Sequence, residues 1–412
     1  MRGTYGDRMH ATEGRGFDPG RLGAVDEITH GYVDDGRLPC AVTAVIHRGE
    51  EVHRDAYGWA DCADRTPVTD DSIFRIFSMT KPIVSLALMQ LYEEGKVLLE
   101  NPIGRFIPEL AELEVWDRGE ADRVRTVPAE HPVTVHDVLR HTAGFTAGFQ
   151  VGNPVSALYR EAGLGDLRRP KFSLAEAMGR LGELPLVSQP GTRWHYGMST
   201  DVAGRIVEVV SGLPLNEYLD RHVFEPLGMV DTGFWIDEQQ LGRLTTNYMR
   251  TPDERMLRVD LPRADRHCVP PAYLSGAGGL LSTLDDYLRF VRMLLGGGEL
   301  DGRRVIGSKT LEFMALNHLP GGATLNDLGQ DTFAEVAMDG VGFGLGFSVL
   351  LDPAANGSVG SIGEFSWGGA ASTIFWADPT EELAVVFLTQ LVPSNTYPIR
   401  RQLRAATYAC LT

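Results

Sequence analysis

The sequence predicts an α/β protein of the α+β type. An antiparallel sheet is built from both termini and flanked by helices, and a mostly helical domain is inserted between its halves. Three observations carry this. Near the start, "CAVTAVIHRGEEVHRDAYGWAD" (40–61) gives two strand-like runs around a polar turn, which is an antiparallel hairpin. Near the end, "GFGLGFSVLLD", "SWGGAASTIFWAD" and "ELAVVFLTQL" are three further strand-like runs separated by turns. Between them the apolar residues recur at helical spacing. The division expected is a flexible segment at 1–16, a sheet domain from 17–100 and 300–412, and a helical domain at 101–299.

The elements follow in order. A helix is expected from Asp18, with Pro19 in its first turn and Leu22, Val25, Ile28 and Tyr32 on one face. After the hairpin, "SIFRIF" (72–77) is short and extended. The next helix ends near Gly95 and is apolar nearly all round, the signature of a buried helix. Pro82 fits only its first turn, so Ser78 and Lys81 lie at its N-terminus. Residues 111–132 are charged and turn-rich, a surface excursion. A short helix over 134–145 stops at Ala143-Gly144. Ser173 caps a helix over 173–186. Helices follow over about 199–210 and on to about 224. Residues 237–272, rich in Arg, Asp and Pro, are expected to be loop. A helix over 282–298 ends in three glycines, and "YPIRRQLRAATYACL" closes the chain as a helix.

Composition narrows the function classes. The net charge of −17 argues against nucleic acid and anionic membrane surfaces as partners. The four cysteines (Cys40, Cys62, Cys268 and Cys410) are scattered, so reduced thiols are expected rather than a disulfide frame or zinc site. The first twenty residues lack an apolar signal core, and no run of apolar residues is long enough to span a membrane, so a cytoplasmic protein is expected. G-x-S-x-G, H-E-x-x-H, G-x-G-x-x-G and the P-loop are absent. His136, His141 and His195 are expected to make structural hydrogen bonds rather than bind metal.

"FSMTKPI" (77–83) remains. With 17 Ser and 4 Lys in the chain, Ser-x-x-Lys arises by chance roughly 0.17 times, so the motif alone is weak. Yet 34 of the 38 basic residues are Arg. Arg never deprotonates, whereas a buried Lys can, so Lys81 suits a base. Positions i and i+3 share a helix face, which brings the Lys81 amine to the Ser78 hydroxyl. A hydroxyl needs such a base to become a nucleophile, and the helix N-terminus offers N–H groups to a developing oxyanion.

"RIFSMTKPIVSLALMQLYEEGKVLLENPI" resembles the nucleophile region of family VIII carboxylesterases, the esterase branch of the β-lactamase and penicillin-binding-protein superfamily. "DVLRHTAGF", "QPGTRWHYGMSTDVAGRIVEVVSG", "YLSGAGGLLSTLDDYLRFVRMLLGGG" and "SWGGAASTIFWADP" continue it in family order, over residues 73 to about 390. The resemblance implies a β-lactamase/transpeptidase-like fold. It implies Ser78 as nucleophile, Lys81 and Tyr196 as its proton acceptors, and an oxyanion hole from the backbone N–H groups of Ser78 and Ala370. It sets Met198 and the stretch Trp367-Gly368-Gly369 against the substrate. No metal or organic cofactor is implied, and the partner is a small-molecule ester.

Two departures matter. Trp367 stands where β-lactamases carry a Lys or His, and cannot hold a carboxylate. Met198 stands where Asn is common, and cannot bond a side-chain amide. Both argue against a dedicated β-lactamase or D-Ala-D-Ala peptidase, and both suit an uncharged ester with weak β-lactam hydrolysis at most. An acyltransferase passing the acyl group to an alcohol or amine, and a D-aminopeptidase or amide hydrolase, are the alternatives of the same fold. A catalytically silent binding protein would need a lost motif residue, and Ser78, Lys81 and Tyr196 are all present.

Overall fold

The computed structural model describes residues 16–120, 123–165, 170–260, 267–329 and 332–412. The segment expected to be flexible, 1–16, lies outside the described residues apart from Gly16.

β1 (Cys40–His47) and β2 (Glu50–Asp61) form the expected hairpin. Arg48 and Gly49 make its turn with φ of 52° and 78°, the left-handed pair that matches strand twist in a two-residue loop. β3 (Thr66–Pro67) adds an edge. Five C-terminal strands complete an eight-stranded sheet: Val341–Phe343, Ser348–Leu350, Phe365–Gly368, Ile374–Asp378 and Leu383–Leu388, in that spatial order, followed by β1, β2 and β3. Every neighbouring pair is antiparallel. The two termini meet where β1 pairs with Leu383–Leu388, Val42 opposite Leu388 and Ile46 opposite Ala384.

β1 is buried along its whole length because both faces of the sheet are covered. Val42, Ala44 and Ile46 point into the larger core, whereas Ala41 and Val45 point into a smaller one. α1 (Gly23–Asp34) and the closing helix Ile399–Tyr408 cover the smaller core with Leu22, Val25, Tyr32, Ile399 and Leu403. Two mixed pairs also tie α1 to β2: His30 Nε2 lies 2.9 Å from Asp55, and His53 Nε2 lies 3.1 Å from Asp26. On the other face, α2 (Thr80–Glu93) is buried from Thr80 to Leu91, as a helix apolar nearly all round requires.

The helical middle of the chain shares the larger core with the sheet. It contains α3 (Val135–Leu139), α4 (Val155–Glu161), α5 (Leu174–Gly182) and α6 (Ser199–Ser211). Capping boxes at Thr134 and Ser173 start α3 and α5. α3 is shorter than its sequence pattern suggests. His141 takes a φ of 60°, which ends the helix ahead of Gly144.

Three sequence expectations need correction. "GFGLGFSVLLD" is two strands, not one, because Gly346 turns at a φ of 105°, where a Cβ would stand 2.4 Å from the Ser85 side chain. The excursion at 111–132 contains a hairpin, Glu114–Arg118 with Arg125–Pro128. The expected loop at 237–272 carries a 3₁₀ segment, Glu238–Arg243, and a hairpin, Asn247–Arg250 with Met256–Asp260. Leu391–Val392 joins that hairpin in parallel. That parallel neighbour is some 140 residues away in sequence, so local pattern does not reveal the pairing.

Candidate active site

Ser78 sits where a short two-stranded ribbon hands over to α2. The strand pair Phe74–Arg75 with Leu281–Ser282 leads into a 3₁₀ turn at Phe77–Met79, and α2 begins at Thr80. Phe77 has a φ of 44°, a strained value for a bulky side chain, immediately before Ser78. The turn is pegged from outside: the Tyr287 hydroxyl donates to the Met79 carbonyl at 2.9 Å, and the Leu280 N–H donates to Thr80 Oγ1 at 3.2 Å. The Ser78 N–H lies in a first helical turn, where no intrahelical acceptor exists.

Lys81 lies one turn on, buried as the expected base would have to be. Its Nζ donates to Ser78 Oγ at 3.3 Å and to the Ala277 carbonyl at 2.7 Å. Burial pulls its pKa down to about 8, against the opposing pull of Asp201 and Glu335. The same amine stands 4.3 Å from the centre of the Tyr196 ring.

Tyr196 is buried in an aromatic box. Trp194 stacks on it at 6.0 Å, and His141 and Trp367 approach at 5.7 and 5.6 Å. Burial, reinforced by Glu335, drives the phenol pKa well up, while Ser78, Trp367 and Arg400 oppose the rise. Its hydroxyl faces Ser78 and Trp367 but closes no hydrogen bond of full geometry with either. Tyr196 is therefore a neutral phenol with hydrogen-bonding capacity to spare, whereas Lys81 titrates close to neutrality. His141 is neutral too, pushed down to about 3 by burial and by the Lys81 charge. It lies 3.3 Å from both the His195 carbonyl and Thr200 Oγ1, and His136 lies 3.0 Å from His318.

The structure spreads the "WGGA" stretch over several tasks. Ala370 lines the cavity above Ser78. Trp367 is fully buried and packs edge-on against Phe343 at 5.2 Å. A Cβ at Gly368 would stand 2.6 Å from the Arg400 guanidinium, and one at Gly369 would stand 2.4 Å from the Ile76 carbonyl. The two glycines thus admit a partly buried arginine and the backbone ahead of the nucleophile. Met198 stands on the cavity wall.

That cavity is about 660 Å³, with Ser78 and Lys81 among its lining and mostly apolar walls. Phe149, Val151, Met249 and Val259 line it and are also exposed, Val151 by 76%. Two buried acids on the wall went unnoticed in the sequence. Asp201 Oδ1 accepts from Ser275 Oγ at 2.9 Å and the Ala277 N–H at 3.3 Å. Glu335 stands near Arg400. Asp201 could have been found, since it lies in the first turn of α6, five residues after Tyr196. Glu335 carries no local signal.

The Beta-lactamase family model matches residues 25–409. The chain belongs to this family. An uncharacterised protein of Mycobacterium tuberculosis is 39% identical over 363 residues, covering 87% of this chain and 88% of that one. Esterase EstB of Burkholderia gladioli is 31% identical over 406 residues, covering 93% and 94%. The solved structure of EstCE1, described as a hydrolase with promiscuous acyltransferase activity, superposes with a TM-score of 0.80 at 25% identity, covering 95% and 99%. The chain is thus of the esterase branch with the β-lactamase-like fold, a serine ester-hydrolysing enzyme. Among the described residues, no helix is long and apolar enough to cross a membrane.

Proposed function

We propose that the protein is a carboxylesterase that works through an acyl-Ser78 intermediate, with Lys81 as base and Tyr196 as proton relay. The observation that carries this is the buried Lys81 amine, 3.3 Å from Ser78 Oγ and lowered to about 8, beside an apolar cavity. Ser78 Oγ attacks the ester carbonyl and gives its proton to neutral Lys81. The tetrahedral oxyanion is held by the N–H groups of Ser78 and Ala370. The C–O bond to the alcohol breaks, and the alcohol leaves with the proton from Lys81, passed through the Tyr196 hydroxyl. Water then gives a proton to the same pair and attacks the acyl-Ser78 carbonyl; the acyl C–Oγ bond breaks, the pair returns the proton to Ser78 Oγ, and the acid leaves. The raised phenol suits Tyr196 to relay a proton rather than to hold a negative charge.

The substrate is an uncharged ester with an apolar acyl part. Trp367 brings no charge, and the Arg75 guanidinium is committed to the Thr245 carbonyl and to His267. The exposed Phe149, Val151, Met249 and Val259 carry the apolar wall of the cavity out to the surface, which suits a long acyl chain. Transfer of the acyl group to an alcohol is the second reading, favoured by the description of EstCE1. A fluorophosphonate probe together with hydrolysis of p-nitrophenyl butyrate tests the first. Wild type is expected to label and turn over, and Ser78→Ala to do neither. Undiminished hydrolysis by Ser78→Ala would end the assignment. With an added alcohol acceptor, ester product forming faster than acid would favour transfer over hydrolysis.

A further inference from the structure

Glu335 takes no part in the reaction above, yet it stands on the wall of the same cavity with 2% of its side chain exposed. Its Oε2 lies 3.7 Å from the Arg400 guanidinium and has no hydrogen-bond partner. Arg400 is committed elsewhere as well. Its Nη1 donates to the Glu335 backbone carbonyl at 2.5 Å, and its Nη2 donates to the carbonyls of Gly369 at 3.0 Å and Thr373 at 2.7 Å. Those two carbonyls frame the turn that carries Ala370. Gly368 leaves the room this guanidinium needs. One arginine from the closing helix therefore clamps the Ala370 turn and Glu335 together.

A buried carboxylate held by Ser394 and by one guanidinium at 3.7 Å is a poor stabilising device, because desolvation offsets most of the attraction. Its placement has a better account in the cavity itself, whose wall it shares with Lys81 and Tyr196. Burial raises the Glu335 carboxyl, and Arg400, Ser394 and Lys81 pull it back toward its charged form. Resting on the Ser78–Lys81 reading, we propose that Glu335, clamped by Arg400, is a positioning residue of this site. Its carboxylate balances the charge of the Lys81 ammonium in the resting enzyme, while Arg400 braces the turn of the Ala370 N–H. Lys81 is also faced by Asp201 from α6, by Tyr196, and by His141 beyond α3. Glu335 is faced by Arg400, Ser394 and Lys81.

The sign is definite. A negative Glu335 favours the charged form of Lys81, so neutralising it makes the amine easier to deprotonate. The test is the pH profile of Ser78 labelling by a fluorophosphonate in wild type, Glu335→Gln and Glu335→Asp. In Glu335→Gln the acid limb should move to lower pH by about half a unit or more. Glu335→Asp keeps the charge and should restore the limb to near its wild-type position. Arg400→Lys keeps the charge but loses the forked donor, so it should slow labelling at every pH. A limb unmoved in Glu335→Gln, or moved equally in Glu335→Asp, would overturn the proposal. Wild type that fails to label at any pH would instead overturn the Ser78 reading on which it rests.

Discussion

The floor and the mouth of the cavity are built in opposite ways. Ser78, Lys81 and Tyr196 are 8%, 3% and 2% exposed, and they stand on or beside helices locked into the larger core. Phe149, Val151, Met249 and Val259 are 38–76% exposed and stand on a loop and an outlying hairpin. The floor fixes atoms to within hydrogen-bond reach of each other, which acyl transfer needs. The mouth offers apolar area without tight geometry. Chemistry and choice of substrate are thus carried by regions that can vary separately.

If that division is right, damage to the floor should abolish turnover for every ester. The largest expected effect is in Lys81→Arg. It keeps the charge but loses the base, and should lower kcat/KM by about 10²–10⁴-fold with thermal unfolding still cooperative. Near-wild-type turnover would reduce Lys81 to a fixed charge. Gly368→Ala should come next. Its Cβ meets the Arg400 guanidinium at 2.6 Å, so overpacking of about 1–3 kcal/mol is expected. Denaturant titration measures it, and an unchanged midpoint would show that Arg400 moves aside freely.

The pH profile sharpens the comparison further. Lys81 must be neutral to accept the Ser78 proton, so kcat/KM should rise with pH and level off above about 8. The same limb should appear for short and long acyl chains, since it belongs to the floor. A limb near pH 6 would point to a different base. The smallest effect is expected at the mouth. Val151→Ser or Phe149→Ser should leave p-nitrophenyl acetate hydrolysis unchanged within twofold. Each should raise KM for a long-chain ester by a few fold, by loss of apolar contact worth about 1 kcal/mol. Equal losses on both esters would tie the mouth to the chemistry.

How much of this was legible depended on sequence distance. The turn of the β1–β2 hairpin, the buried α2 and the meeting of Lys81 with Ser78 are all local. Periods of two and of 3.6 residues, Pro82 in a first turn and an i, i+3 spacing define them. The hairpin of 247–250 with 256–260 is local too, but its Arg, Asp and Glu residues mask the strand period, and its parallel neighbour Leu391–Val392 lies far off in sequence. Tyr196 was named by resemblance to a family, and its open hydroxyl and raised phenol became visible only in its aromatic box.

By itself the sequence determined the antiparallel sheet from both termini, the buried helix and the Ser78–Lys81 pair, because each follows from backbone period and neighbouring side chains. Tertiary structure alone decided that Gly368 makes room for Arg400 and that Gly369 fits against the Ile76 backbone. It alone set Glu335 and Asp201 around one amine and lowered that amine to about 8. Burial and charge at a point in space depend on every chain segment that reaches it, and such segments need not be near in sequence.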